Sequence, residues 1–437
     1  VDVSKLVVTG DQALTITDAL SAEITEIDAS AHSGTTGLTL SAAPGYATGI
    51  TFTGGAGADA MTGTAGIDNI SGGAGNDTIT MTALASTDTI DGGAGVDTIS
   101  TNQAIASATV LGGVSNVEVL SMIGNITVTA SGDMGGVSTY NLTEDTGAHT
   151  LNLGSATAAY SKDTTVLITG QANTSGDTID ARSSSGTLTV KGLQTDFDNG
   201  LIIYGSAGVD SVEITAAGAT TANLDDVTRV ENIVIKDSST AGTDSSLTVY
   251  DGSVTAYGGP TSVNIDASEL DGGVSTFDEV FTLVGGGTDG TAAMPLNVTS
   301  GGGADILDGG AGNDTIDGGA GADIIDGNGG LDNLSGGAGN DTIRVNAKTE
   351  FITAYGADIV DGGAGTDTLE LGASMNLVAT QLATISNIEK ITIPDGSDLT
   401  ISDDVLANNP GIKFNFAGAG TLSTGEDTAG ASLMTTG

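Results

Sequence analysis

Twelve aspartates occupy the sixth position of a nine-residue unit whose first four places are dominated by glycine. They are Asp59, Asp68, Asp77, Asp88 and Asp97 in a first run, and Asp305, Asp314, Asp323, Asp332, Asp341, Asp358 and Asp367 in a second. Two places after each comes an aliphatic side chain, counting Met61, from Ile70 in the first run to Leu369 in the second. The frame slips by two residues before ALASTDTID (83–91) and by eight before TAYGADIVD (353–361). Carboxylates this regular, set among glycines, suit the binding of a hard cation. Glycine reaches φ > 0 without steric cost, so GGxG can turn tightly and aim its carbonyl oxygens inward. The aspartate then adds a charged oxygen to that lining.

The donor set limits the choice of cation. Calcium accepts about six to eight oxygens in flexible geometry, whereas magnesium keeps its waters. Zinc would want sulfur or imidazole, and the chain has no cysteine and only His32 and His149, with no partner at ligand spacing. Both histidines read as ordinary surface or strand residues.

These turns need a scaffold to position them. Residues seven to nine of each unit read as a short strand with position eight pointing inward. The pattern GGxGxDxUx, with U aliphatic, resembles the RTX calcium-binding nonapeptide. That resemblance implies a parallel β-roll in which two nonapeptides make one coil, so that turns eighteen residues apart share a calcium ion. It implies as ligands the twelve position-six aspartates, Asp59 to Asp97 and Asp305 to Asp367, with degraded glycines in the copies of Asp88 and Asp358. Paired this way they would hold about eight Ca2+ ions, three in the first run and five in the second. The terminal acids Asp91, Asp308, Asp317, Asp326 and Asp361 either add ligands or solvate the rim. Residues 300–370 hold eleven Asp and two Glu against Arg344 and Lys348, so their mutual repulsion also calls for a cation.

Composition agrees with this reading. The 437 residues carry 55 acidic and 10 basic side chains, a formal charge of −45. Such one-sidedness disfavours nucleic acid and anionic membranes as partners. With 38% hydrophobic residues, disorder of the whole chain is disfavoured too. No apolar run approaches the roughly 20 residues that span a bilayer. The opening VDVSKLVVTG is neither an initiator methionine nor a signal peptide, which suggests processing or an excerpt from a longer protein.

Outside the two runs, short Val/Ile/Leu/Thr segments alternate with Gly/Asp/Ser turns, which reads as all-β. The expected organisation is a strand-rich segment (1–53), a calcium β-roll (54–100), a strand-rich solenoid-like region (101–299), a second roll (300–370) and a strand-rich segment opening a further unit (371–437). Two motifs recur: IDAS or IDAR (27–30, 179–182, 265–268), and VSNVEVL, VTRVENI and ISNIEKI (114–120, 227–233, 385–391). Both read as strand and turn packing. The single turn GSAGVDSVE (205–213) lacks a partner eighteen residues away, so Asp210 reads as structural, and Asp177 in TSGDTID is a still weaker candidate.

Catalytic signatures are missing: HExxH and GxSxG do not occur, and aromatic residues are only 3%. The chain therefore reads as non-enzymatic. Its Gly/Thr/Ala-rich strands, IDAS turns, scattered nonapeptides and SNxE returns resemble the RTX-type surface-layer proteins of Gram-negative bacteria. That family implies type I secretion, calcium-dependent folding outside the cell, self-assembly into a lattice, and lipopolysaccharide anchoring through a separate domain. A calcium-stiffened stalk of a large RTX adhesin is the alternative, and a module of a secreted enzyme is a third. No secretion signal is recognisable in the polar end GEDTAGASLMTTG (425–437).

Overall fold

The computed structural model describes residues 4–16, 23–40, 49–131, 134, 136–143, 148–155, 160–169, 176–197, 200–215, 221–224, 226–236, 245–250, 262–270, 281–286, 294–346, 357–372, 377 and 382–424. The inserted segment before Ala357 and the C-terminal tail 425–437 lie outside them. Backbone contacts divide the chain into two units, Val1–Ser211 and Val212–Gly437. Each is a parallel β-solenoid, with about 14 turns in all.

In the first unit, Lys5–Gly10, Glu26–His32, Thr51–Thr53, Asn69–Ala74, Thr89–Ala94 and Val114–Ser115 form one parallel ladder. Strands from Leu14–Ile16 through Ala58–Thr62, Thr78–Met81 and Thr98–Thr101 to Leu188–Leu193 form a second. A third runs from Thr127–Ala130 to Ile202–Tyr204. The chain alternates between ladders, so two successive strands and their turns make one coil. The second unit repeats the plan. Ile306–Asp308, Ile324–Asp326, Thr342–Val345, Thr368–Leu371 and Lys390–Ile393 stack in one ladder, and Thr315–Asp317, Asn333–Ser335, Ile359–Asp361 and Ile385–Ser386 in another.

The nonapeptide dictates this geometry. Odd and even copies feed opposite ladders, and each position-eight side chain meets its equivalent one coil away, as in Leu307↔Ile325↔Ile343 and Met61↔Ile79↔Ile99. All twelve are buried, none more than 3% exposed. Burying such a side chain contributes about 1.5–3 kcal/mol. Truncating Ile325 to alanine would cost about 2–5 kcal/mol, because neighbouring coils cannot collapse onto the gap. Slips in the repeat are absorbed within single coils: Ile79 pairs with Ile99, and Leu334 with Val360. Beyond the rolls, Leu120, Tyr140, Val166 and Val190 continue the stack and are fully buried.

The IDAS motif is a turn device, as its sequence suggests. Asp28 Oδ1 accepts the Ser30 amide at 3.2 Å and hydroxyl at 2.7 Å, and Asp266 does the same for Ser268 at 3.1 and 2.6 Å. Those Ser30 bonds, with Lys5 alongside, hold the Asp28 carboxyl at about 2. The histidines are buried rather than superficial, His32 at 2% and His149 at 0% exposure. His32 Nε2 lies 2.9 Å from the Gln12 carbonyl. Among the described residues no helix is long and apolar enough to cross a membrane.

Candidate metal centre

The twelve aspartates line up as two ladders of carboxylates in each roll. Every one is at most 2% exposed. Each Oδ1 for which a partner is resolved accepts a main-chain amide from the coil before it. In the second roll Asp305 N–H donates to Asp323, Asp323 to Asp341 and Asp341 to Asp367, all at 2.8 Å. On the opposite edge Leu296 donates to Asp314 (2.8 Å), Asp314 to Asp332 (2.8 Å) and Asp332 to Asp358 (2.9 Å). The first roll runs Leu38 to Asp59 (2.6 Å), Asp59 to Asp77 (2.7 Å) and Asp77 to Asp97 (2.8 Å). Its other edge runs Ile50 to Asp68 (2.9 Å) and Asp68 to Asp88 (3.0 Å). Turns eighteen residues apart are therefore neighbours along one edge, as the coil length requires. Asp177 and Asp210 make the same bond, accepting from His149 and Leu188, both at 2.7 Å.

The second carboxylate oxygen separates the turns into two kinds. Among the nonapeptide aspartates, Asp77, Asp97, Asp314, Asp323, Asp332, Asp341 and Asp367 have a buried Oδ2 with no donor, as does Asp177 outside the repeats. In Asp59, Asp68, Asp88 and Asp210 it is filled from within the same turn, by the amides of Gly55 (2.9 Å), Thr64 (2.8 Å), Ala85 (2.8 Å) and Ser206 (2.5 Å). Asp305 Oδ2 likewise takes the Ser300 hydroxyl at 2.5 Å. Backbone geometry at position two runs parallel to the split, although Ala85 stands at position three and Ser300 at position one of their turns. The seven open turns have Gly73, Gly93, Gly310, Gly319, Asn328, Gly337 and Gly363 there, all at positive φ. None of Gly55, Thr64, Leu84, Ser206 and Gly301, the position-two residues of the five filled turns, has a positive φ. The Asp358 copy begins in residues outside those described.

At positive φ the position-two amide points back along the chain instead of into the carboxylate. Gly319, Asn328 and Gly363 donate to Asp317 (3.2 Å), Asp326 (3.1 Å) and Asp361 (3.1 Å), the last residues of the preceding units. The terminal acids are thus turn acceptors, which places them structurally in the rim. A sequence signal follows. The residue before each open turn is Ser71, Asp91, Asp308, Asp317, Asp326, Ser335 or Asp361, and before each filled turn it is Thr53, Thr62, Thr82, Tyr204 or Thr299. Asp accepts the amide two residues on in an Asx-turn, as Asp317, Asp326 and Asp361 do here. The nine-residue motif, read one residue earlier, separates the two kinds.

The open turns fit an oxygen-bound cation. A Cβ built on Gly336 would stand 2.5 Å from both Asp341 Oδ2 and the Gly362 carbonyl oxygen of the next coil. One on Gly318 would stand 2.6 Å from Asp323 Oδ2 and 2.7 Å from Gly336 O. Only glycine leaves this cradle clear, and its walls are hard oxygens with no hydrogen to offer. Among the described residues no three Asp, Glu, His or Cys side chains converge on one point. An ion here would therefore take one carboxylate and several main-chain carbonyls, which suits calcium. Burial pushes the carboxyls up, against their amide bonds: Asp77 to about 6, Asp323 and Asp332 to about 7, and Asp314 to about 8, with Asp97, Asp341 and Asp367 also raised. A buried carboxylate lacking a donor favours a proton or a cation over an empty cradle.

One set of ladder residues was not expected from their motif. Glu118 Oε2 accepts the Asp97 amide and Glu389 Oε2 the Asp367 amide, each at 2.8 Å, so these SNxE glutamates continue the carboxylate ladders. The regular Asp-to-Glu spacing was the available signal.

Comparison with known proteins agrees with the geometry. A family model for the RTX calcium-binding nonapeptide repeat matches residues 53–80, 80–103, 299–334, 326–347 and 351–373, less than a third of the chain. These stretches contain all twelve aspartates and none of the filled turn at Asp210. No curated protein and no solved structure is significantly similar to the chain. The matched repeats occupy the coils that carry the buried aspartate ladders, so the chain contains RTX-type calcium-binding nonapeptide repeats.

Proposed function

We propose that the chain is a calcium-dependent structural protein of a bacterial cell surface, secreted by a type I system, whose copies assemble into a surface layer. The observation that carries the calcium part is the set of seven nonapeptide aspartates whose buried Oδ2 has no donor. A chain that builds such cradles at regular intervals uses the cation to complete its fold. The repertoire is structural rather than catalytic, since every buried aspartate is engaged in turn architecture. Self-assembly is supported by the resemblance of the strand and turn motifs to RTX surface-layer proteins. A net charge of −45 opposes contact between like chains until cations bind. Lipopolysaccharide would be engaged through a separate domain.

Electron microscopy and sedimentation of the chain at 0–10 mM calcium test this reading. Ordered sheets or defined oligomers are expected with calcium and not with sodium at matched ionic strength. Monomers throughout would remove the lattice and favour a calcium-stiffened adhesin stalk.

A further inference from the structure

In both units the last nonapeptide coil is followed by the same return, SNVE (115–118) and SNIE (386–389). The two returns share their contacts. Asn116 and Asn387 sit at φ 51° and 53°, in the left-handed region. Their side-chain amides donate to the terminal acids Asp91 and Asp361, both at 2.7 Å. Their carbonyl oxygens stand against the Cβ positions of Gly92 and Gly362, where the next coil's position-one glycine carbonyl stands in the interior cradles. Asp97 Oδ2 and Asp367 Oδ2 face those same Cβ positions, at 2.7 and 3.0 Å, and both are fully buried without a donor.

Resting on the calcium reading above, we propose that each return completes one more cation site, its asparagine carbonyl and its glutamate, Glu118 or Glu389, standing in for a further nonapeptide. The sites join Asp97 to Asn116 and Glu118, and Asp367 to Asn387 and Glu389. The glutamate supplies more than a cap for the amide. A neutral side chain can cap such an amide, since Asn409 Oδ1 receives the Ile388 amide at 2.8 Å. At Glu118 and Glu389 a second negative charge is placed beside a buried carboxylate whose Oδ2 has no donor. That arrangement is favourable when a divalent ion lies between them. Each return closes the C-terminal end of its roll with a site that depends on residues outside the nonapeptide pattern.

Counting bound calcium by equilibrium dialysis on the full chain, with calorimetry for affinities, tests this. Glu118→Gln and Glu389→Gln keep an oxygen for the amide and remove the charge. Each should bind one ion fewer than the parent, and the double variant two fewer. Circular dichroism in 10 mM calcium checks that the variants fold. Should a glutamine variant fail to fold, Glu118→Asp and Glu389→Asp carry the test, retaining the ion with at least tenfold weaker affinity. Unchanged count and affinity in the folded variants would overturn the inference and leave the calcium reading intact. A parent chain that binds no calcium would overturn both.

Discussion

The turns at Asp341 and Asp210 share a sequence pattern and differ in one oxygen. GGAGNDTIR (336–344) and GSAGVDSVE (205–213) both bury their aspartate and use its Oδ1 to fasten the coil before. At Asp210 the Ser206 amide and hydroxyl fill the rest of the carboxylate, and the turn is complete in itself. At Asp341 the Gly337 backbone has swung to φ 94°, and Oδ2 is left facing the Gly362 carbonyl across a gap. A carboxylate in a glycine-rich turn is therefore not in itself a metal ligand. Between these two turns the difference goes with the hand of the backbone four residues earlier.

Removing calcium should separate the two kinds of turn most strongly. Sites of extracellular type bind at about 0.1–1 mM, so a few millimolar calcium adds about 1–2 kcal/mol per site. Several sites together rival the whole stability of a domain, about 5–15 kcal/mol. Far-ultraviolet circular dichroism in excess chelator should show a loss of strand signal. An unchanged spectrum and melting point would mean that the open turns do not need their ion.

Single aspartates come next. Asp323→Ala removes the open Oδ2 and leaves the Asp305 amide without its acceptor, the latter alone costing about 1–3 kcal/mol. It should disturb two sites along its edge, whereas Asp210→Ala should leave the calcium count unchanged. Combined with Asp341→Ala, a neighbour one coil away, its effect should be non-additive, and with Asp332→Ala on the opposite edge closer to additive. Calorimetric stoichiometry checks both contrasts. An Asp323→Ala chain that keeps every ion would refute the edge pairing.

A backbone substitution probes the switch itself. Gly337→Ser puts a side chain where φ is 94° and its Cβ would meet the Gly319 carbonyl. It should cost more than about 1 kcal/mol and remove an ion, giving the turn the character of the Asp210 turn. Retention of all ions with an unchanged midpoint in urea would detach positive φ from calcium binding.

The smallest expected effect is on pH in calcium-stripped buffer. The open carboxyls are raised by burial, to about 6 for Asp77 and about 8 for Asp314. Between the unfolded value near 4 and these folded values, the folded state binds more protons than the unfolded. Stability of the metal-free chain should therefore fall as pH rises from about 4 to 8. Strand signal in stripped buffer should return in part on acidification toward pH 5. A signal that strengthens with rising pH would contradict the sign.

Much of this was legible in the sequence. The nine-residue period carried the buried side chains from Met61 to Leu369, the two-strand coil and the eighteen-residue pairing of aspartates, because each depends on side-chain type at fixed spacing. The open and filled turns were harder to tell apart. Gly55 and Gly73 are the same residue in the same motif, and glycine tolerates either hand. The residue that differs sits one place before the nonapeptide, Thr53 in one case and Ser71 in the other. The role of Glu118 was hidden for a different reason. Its carboxylate follows its turn residue by two positions instead of four, and only the coil stacking places it at the end of the aspartate ladder.

The alternation of edges limits how such a gene can change length. Duplicating or deleting eighteen residues within a roll returns each aspartate to its own edge and each aliphatic side chain to its own ladder. A nine-residue change preserves the reading frame and the motif, yet it moves every later copy to the opposite edge. The SNxE return would move with them, keeping Glu389 opposite Asp367 but delivering every later strand to the other ladder. Extra residues confined to one coil are harmless by comparison, as the ladder resuming 26 residues on between Asp332 and Asp358 demonstrates. Roll length in descendants of this chain should thus be inherited in whole coils, with irregular additions accumulating between strands.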